Sequence, residues 1–204
     1  TGRLGARFHT QPRDPFVRSI YSSPPGSTLL SVDYSQIEAR LAAWKAAGSP
    51  ASWEEVDPQW GRMLLAFHNK RDIYVETAAA ALRKSSEDVS RNERQMMGKV
   101  PSLAMIYKIS AEGFREYAWA QFEIVYTRAE AEHLHRTFYT LWPEIPRWHD
   151  LEGRILRSRG YAKSPLGRIR RLPEAQSENR KLSEEAVRAG INMPIQSAAS
   201  DILQ

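Results

Sequence analysis

The sequence predicts an α+β fold dominated by helices, and three observations predict it. After residue 59 most of the chain spaces its apolar residues at helical intervals. One run, Thr28-Leu29-Leu30-Ser31-Val32, is short, apolar and partly β-branched, as a buried strand is. Near the end, Gly160 and Pro165-Leu166-Gly167 punctuate a basic stretch that reads as a short hairpin or loop.

Residues 1–27, rich in Pro, Gly, Ser and Arg, read as extended backbone with turns. A strand over 28–34 leads into a helix over 35–47, where Ile37, Leu41 and Trp44 take up helical spacing. Gly48-Ser49-Pro50 and Asp57-Pro58 make 48–59 a loop and the clearest boundary. Helices follow at about 60–69, 72–84, 88–107, 111–120, 127–142 and 146–158. Ser90-x-x-Glu93 and Thr127-x-x-Glu130 are capping-box patterns, although the first fits equally inside a helix begun at Ser86. The hairpin or loop occupies 159–173, and a last helix starts near Ser183 and is interrupted near Pro194. No internal repeat or low-complexity tract is present.

The 204 residues suffice for one core or two small ones. Lys and Arg number 29 against 24 Asp and Glu, a net charge of +5. The distribution says more than the sum. Between Gly153 and Pro173 stand Arg154, Arg157, Arg159, Lys163, Arg168, Arg170 and Arg171 with no acid among them. Before the strand, Arg3, Arg7, Arg13 and Arg18 face Asp14 alone. Such runs are solvated surface or the footprint of an anionic partner, and two of them in one chain favour a phosphate backbone. With no cysteine, disulfides and thiolate metal sites are excluded, which fits a reducing compartment. No apolar run reaches transmembrane length and the first residues do not form a signal peptide, so no membrane partner is expected. The chain opens on Thr1-Gly2-Arg3-Leu4 and stops inside a helical pattern at Gln204, so it is expected to be a piece of a longer protein.

The chemistry is expected where the strand turns into the helix. Asp33 stands at that corner in Asp33-Tyr34-Ser35-Gln36-Ile37-Glu38-Ala39-Arg40. An acid before a helix is often only an N-cap. At the end of a buried strand it is also where a divalent cation can offset the cost of desolvating the carboxylate. A second candidate is the helix over 88–107. There Lys99, Leu103 and Tyr107 recur every fourth residue and share one stripe. An ammonium, an aliphatic side chain and a phenol in line suit a nucleotide's phosphates, sugar and base, or simply an amphipathic helix with a snorkelling lysine.

The octapeptide resembles motif A of the family A DNA polymerases, whose form is Asp-Tyr-Ser-Gln-Ile-Glu-Leu-Arg; only Ala39 differs. Arg94 to Tyr107 resembles the same family's motif B, Arg-x3-Lys-x7-Tyr-Gly, with two departures. Lys108 replaces the glycine, and Arg94 precedes Lys99 by five residues instead of four. Five residues turn a regular helix about 140° away from alignment. Pro101 lacks an N–H and invites distortion, so a one-residue π-bulge would restore the pairing; otherwise Gln95 takes the arginine's place. Thr1-Gly2-Arg3-Leu4, Asp72-Ile73-Tyr74 and Arg188-Ala189-Gly190-Ile191-Asn192-Met193-Pro194-Ile195-Gln196 resemble further family segments, in the family's order.

The resemblance implies a partial polymerase palm with a helical fingers subdomain. Residues 1–44 would be palm with motif A, 45–158 fingers with motif B, and 159–204 a basic connector returning to the palm and stopping before motif C. It implies DNA-templated DNA synthesis, with primer-template DNA and dNTP as partners and two Mg²⁺ ions as cofactors. Asp33 and Lys99 would be catalytic, and Asp33 with the Tyr34 carbonyl would hold metal. Tyr34, Gln36, Glu38, Tyr74, Arg94, Gln95, Lys99, Leu103 and Tyr107 would line the dNTP site, Glu38 excluding a ribose hydroxyl. Tyr74 stands where the family often has histidine and carries no positive charge. Arg3, Arg168, Arg188, Asn192 and Gln196 would touch DNA. The expected setting is a monomer in the cytoplasm of a bacterium or a phage-infected host. Lacking the His-Asp-Glu motif C, the piece alone is expected to be inactive. Two alternatives stay open: a single-subunit RNA polymerase, which Glu38 argues against, and a non-catalytic basic helical nucleic-acid-binding protein.

Overall fold

Among the described residues the first regular element, α1 (Pro15–Ser19), is a single turn whose start is held by Asp14 Oδ1, which accepts from the Phe16 and Val17 amides. The computed structural model describes residues 14–30 and 33–202. Then come α2 (Ile37–Ala46), α3 (Arg62–His68) and α4 (Ile73–Leu82), with a 3₁₀ turn at Trp53–Glu55 between the first two. A composite helix follows. It comprises α5 (Arg91–Glu93), a π-helical segment over Arg94–Lys99, and α6 (Val100–Met105). Three longer helices follow, α7 (Ala111–Phe122), α8 (Arg128–Leu141) and α9 (Glu144–Arg159). A two-stranded hairpin, β1 (Tyr161–Lys163) and β2 (Ile169–Arg171), precedes α10 (Arg180–Ile202). The predominantly helical α+β class is as predicted.

Both capping boxes form. The Ser90 hydroxyl accepts from the Glu93 amide while the Glu93 carboxylate accepts from the Ser90 amide, and Thr127 and Glu130 do the same for α8. The segment Ser86–Asp88 is a separate 3₁₀ turn, so the longer helix starts at Arg91. The hairpin is antiparallel, with Ala162 opposite Arg170, and Gly167 turns at φ +88°, a value that costs glycine little.

Two expectations are corrected. The described part of 28–34 is not a strand, and Leu30 is 86% exposed. A strand exists only by pairing, and among the described residues the only sheet is the β1–β2 hairpin far along the chain. Ser31 and Val32 lie outside the described residues. Second, α10 begins at Arg180 and runs unbroken through Pro194. The proline removes one ladder bond, but the helix is buried on both sides of it, at Gly190, Ile191, Met193, Ile195 and Ser197. Burial of that face outweighs one lost bond.

The core runs through the middle of the helical array: Met63, Ile73, Met105, Phe114, Phe138, Trp142, Ile145 and Ile191 are each at most 2% exposed. The Trp142 indole N–H is satisfied by Thr77 Oγ1 at 3.1 Å, joining α4 to the end of α8. The N-terminal helix α2 packs on both α9 and α10, which brings the residues after Asp33 against the last helix of the chain.

Candidate nucleotide site

Motif A enters its helix through an unusual residue. Gln36, the N-cap of α2, has φ +57° and ψ +35°, and its side chain makes no cap bond. Its carbonyl accepts the Arg40 amide at 3.0 Å. The Arg40 side chain folds back to the Ser35 carbonyl at 2.9 Å and lies over the Phe67 ring at 4.5 Å. These contacts fix the corner. Asp33 and Tyr34, just ahead of it, are exposed. The buried carboxylate expected at Asp33 is therefore an exposed one, because the strand that would bury it does not form among the described residues.

In the first turn of α2, Glu38 meets the end of the composite helix. The Tyr107 hydroxyl donates to Glu38 Oε2 at 2.5 Å, across 69 residues of sequence. Beyond Tyr107 the chain turns sharply: Lys108 has φ +59°. This is the left-handed region that glycine enters without strain and that other residues enter at about 1–2 kcal/mol. The turn requires this left-handed backbone, which the usual glycine adopts freely, and Lys108 adopts it under strain, its ammonium 3.8 Å from Asp150.

The irregular spacing of motif B is taken up as predicted. The Val100 amide bonds to the Gln95 carbonyl, an i→i+5 step that sets residues 94 and 99 one above the other. The cause is legible in the chain. The next carbonyl in the series, Met96, would need the N–H of residue 101, and Pro101 has none. The Tyr126 hydroxyl supplies it instead, donating to the Met96 carbonyl at 2.5 Å. Tyr126 is buried, which pushes its hydroxyl up to about 12 and keeps it a donor at any ordinary pH. The segment is also pressed on α4. A Cβ added at Gly98 would lie 1.9 Å from the Tyr74 carbonyl oxygen, so only glycine allows this approach.

Arg94 is not free. Its guanidinium makes a two-pronged pair with Asp72 Oδ2, from Nε at 2.8 Å and from the terminal nitrogen at 2.7 Å, and lies over the Tyr74 ring at 5.1 Å. Asp72 also caps α4, its other oxygen accepting from Tyr74 N at 2.9 Å. Tyr74 is only 3% exposed, so the ring supports Arg94 from below. Burial raises the Tyr74 hydroxyl to about 12, with Arg94 opposing that shift. Gln95, Lys99, Leu103 and Tyr107 are half-buried.

A cleft of about 610 Å³ opens between the start of α2 and the α3–α4 connection. Gln36, Arg40, His68, Lys70, Arg71 and Asp72 line it, so three fixed cations face a space that motif A borders. Arg71 is paired with Glu76 at 2.9 Å.

The expected DNA-contacting residues are spread more widely. On α10, Arg188 is exposed and Asn192 and Gln196 are half-buried, at four-residue spacing and so on one face. Arg168 forms an ion pair with Asp201, which ties the hairpin to α10, and Arg157 pairs with Glu184 at 2.6 Å. Arg154, Arg159, Lys163, Arg170 and Arg171 are exposed. Arg3 lies outside the described residues. No group of three or more His, Asp or Glu among the described residues is arranged to hold a metal ion. No described helix is long and apolar enough to cross a membrane.

The sequence profile described as DNA polymerase family A matches residues 9–204. The chain belongs to DNA polymerase family A. The DNA polymerase I of Aquifex aeolicus is 30% identical over 207 residues, covering all of this chain and 32% of that protein. The enzyme of the same name from Geobacillus stearothermophilus is 30% identical over 92% of this chain and 19% of its own length. The Pseudomonas aeruginosa relative is 29% identical over 92% of this chain and 18% of its own. The POL domain of Pol1 from M. smegmatis, solved with DNA primer-template and dNTP, superposes with a TM-score of 0.64 at 29% identity. It is matched over 84% of this chain and 27% of that one. The family A chain thus spans a fifth to a third of its relatives' length.

Sequence reasoning missed four contributors to this site. Gly98 and Tyr126 act on motif B as described, and Tyr139 and His149 reach it from α8 and α9, at the Met105 and Ile106 carbonyls. Of these only Gly98, a glycine inside a helical pattern, carried a signal of its own.

Proposed function

We propose that this chain is the palm-and-fingers portion of a DNA-templated DNA polymerase, a nucleotidyltransferase of DNA replication or repair. The primer 3′-hydroxyl attacks the α-phosphorus of a bound dNTP, and pyrophosphate leaves. One observation carries the proposal: the Tyr107–Glu38 hydrogen bond, which joins the two motifs into one site. The superposed Pol1 structure is a complex with DNA primer-template and dNTP, which supports the same partners for this chain.

In this proposal Lys99 and Arg94 meet the triphosphate. Their fixed charges neutralise the leaving pyrophosphate, and Lys99 can hand it a proton. Arg94 must share or release Asp72 to do so, and Gln95 provides a neutral donor beside it. The cations of the adjoining cleft add to the positive field there, and Gln36 offers a neutral amide beside them. Glu38, held by Tyr107, stands against the sugar and rejects a ribose hydroxyl; Leu103 packs on the same sugar, and Tyr107 also bounds the templating position. Tyr74 serves from beneath, through Arg94.

The oxygen donors at the corner, the exposed Asp33 carboxylate and the Tyr34 carbonyl, are the kind that Mg²⁺ accepts when phosphates complete its shell. In the complete protein, two Mg²⁺ ions held by these donors together with a further carboxylate would acidify the primer hydroxyl and offset charge on the phosphates. Residues 1–44 and 159–204 are assigned to the palm side and 45–158 to the fingers, in keeping with α2 packing on α10. Arg3, Arg168, Arg188, Asn192 and Gln196 are assigned to the duplex, whose minor groove offers acceptors at similar places in every base pair. The working state is taken as a cytoplasmic monomer.

The test is sugar choice. In the complete protein, Glu38→Ala should raise incorporation of rNTP relative to dNTP, measured as the ratio of their kcat/KM values. An unchanged ratio would remove Glu38 from the gate.

A further inference from the structure

Side chains from α8 and α9 converge on the turn that ends α6. The Tyr139 hydroxyl donates to the Met105 carbonyl at 2.9 Å, and His149 Nε2 lies 2.8 Å from the Ile106 carbonyl. A carbonyl can only accept, so Nε2 carries the proton. Burial pulls the His149 pKa down to about 4, which keeps the ring neutral. Tyr139 stands edge-on to His149 at 6.1 Å and to His135 at 4.7 Å, and His135 in turn meets the backbone of Ile109.

These are the last carbonyls of a helix, which have no partner within it. Elsewhere water would serve them. Here Met105 and Ile106 are at most 1% exposed, so a protein donor must. Met105 O already accepts the Lys108 amide at 3.1 Å, and Tyr139 is its second donor. The residue enclosed by the two anchored carbonyls and the left-handed Lys108 is Tyr107, whose hydroxyl reaches Glu38.

We infer that Tyr139 and His149 are positioning residues for sugar selection: by holding the turn at 105–108 they keep the Tyr107 hydroxyl on Glu38. Neither touches the nucleotide. The inference rests on Glu38 being the gate, and its test separates the two ideas.

In the complete protein, Tyr139→Phe removes one oxygen and leaves the ring packed; His149→Met removes the second anchor. Two quantities are read: amide hydrogen exchange at Tyr107 and Lys108, and the dNTP-to-rNTP ratio of kcat/KM. With Tyr139→Phe, exchange at both amides should rise about five- to ten-fold, the scale set by one hydrogen bond. The discrimination ratio should fall several-fold, and Tyr139→Phe should add nothing in a Tyr107→Phe background. Unchanged exchange would overturn the inference, and so would a loss of discrimination that adds to that of Tyr107→Phe. If His149→Met fails to fold, the Tyr139→Phe result still decides. Sugar choice insensitive to Glu38→Ala would defeat the gate and the selection role together, with the exchange data reporting the anchoring separately.

Discussion

Lys108 shows how one position can depart from its family without leaving the fold. The turn after Tyr107 demands φ near +59°, and a lysine meets that demand at a cost. The Lys108–Asp150 contact at 3.8 Å, with Asp150 largely exposed, returns little. Lys108→Gly should therefore stabilise the protein by about 0.5–1 kcal/mol, the strain relieved less the entropy glycine adds to the unfolded chain. Urea unfolding would measure it, and a destabilised variant would mean the lysine holds more than its own turn. Tyr107→Phe is a second residue-scale prediction. Loss of the hydroxyl frees Glu38 on one side, so the dNTP-to-rNTP ratio should fall in the same direction as for Glu38→Ala but by less.

At the scale of elements, the composite helix is where sequence and structure inform each other most closely. The five-residue spacing of Arg94 and Lys99 pointed to a bulge if the two were to align, and to Gln95 in the arginine's place if they were not. What the sequence could not announce is the support. Tyr126 answers the Met96 carbonyl from thirty residues away, and Gly98 lets α4 approach to contact; both depend on how distant elements pack. Deleting Gln95 should convert the π segment to a regular α turn while leaving 96–105 in place. Stability should stay within about 1 kcal/mol, since the change swaps one ladder for another, whereas a deletion in a regular helix of this core rotates its buried face outward. Collapse of the fold on deletion would show that the bulge is needed for packing and not only for alignment. Gly98→Ala should do the opposite. A methyl 1.9 Å from the Tyr74 carbonyl oxygen forces α4 and the segment apart, at about 3 kcal/mol or more, visible as a lowered Tm.

At the scale of the molecule, helices were legible because each carries its own periodicity and some their caps, as Ser90 and Thr127 show. The strand expected at 28–34 does not form among the described residues, because a strand's existence depends on a neighbour, and apolar content alone cannot supply one. Buried polar groups were equally hidden, and two of them contribute to how the fold responds to pH. Glu144, fully buried, accepts the Met63 amide at 2.6 Å and so caps α3 from the start of α9; burial raises its pKa. Its charge penalty is relieved as pH falls through that raised value. His149 works in the other direction and further up the scale. Unfolded, it takes a proton near its ordinary value of 6.5; folded, it resists until about 4. Its contribution is thus complete above pH 6.5 and is lost as pH falls toward 4, because the unfolded chain binds the proton and the native one does not. Comparing the native protein with His149→Met cancels Glu144 and every other shared group. The native advantage in unfolding free energy should shrink by about 2 kcal/mol between pH 7 and pH 5. A pH-independent difference would mean that His149 titrates normally in the fold, and that the Ile106 carbonyl is held by an imidazole far less buried than the structure makes it.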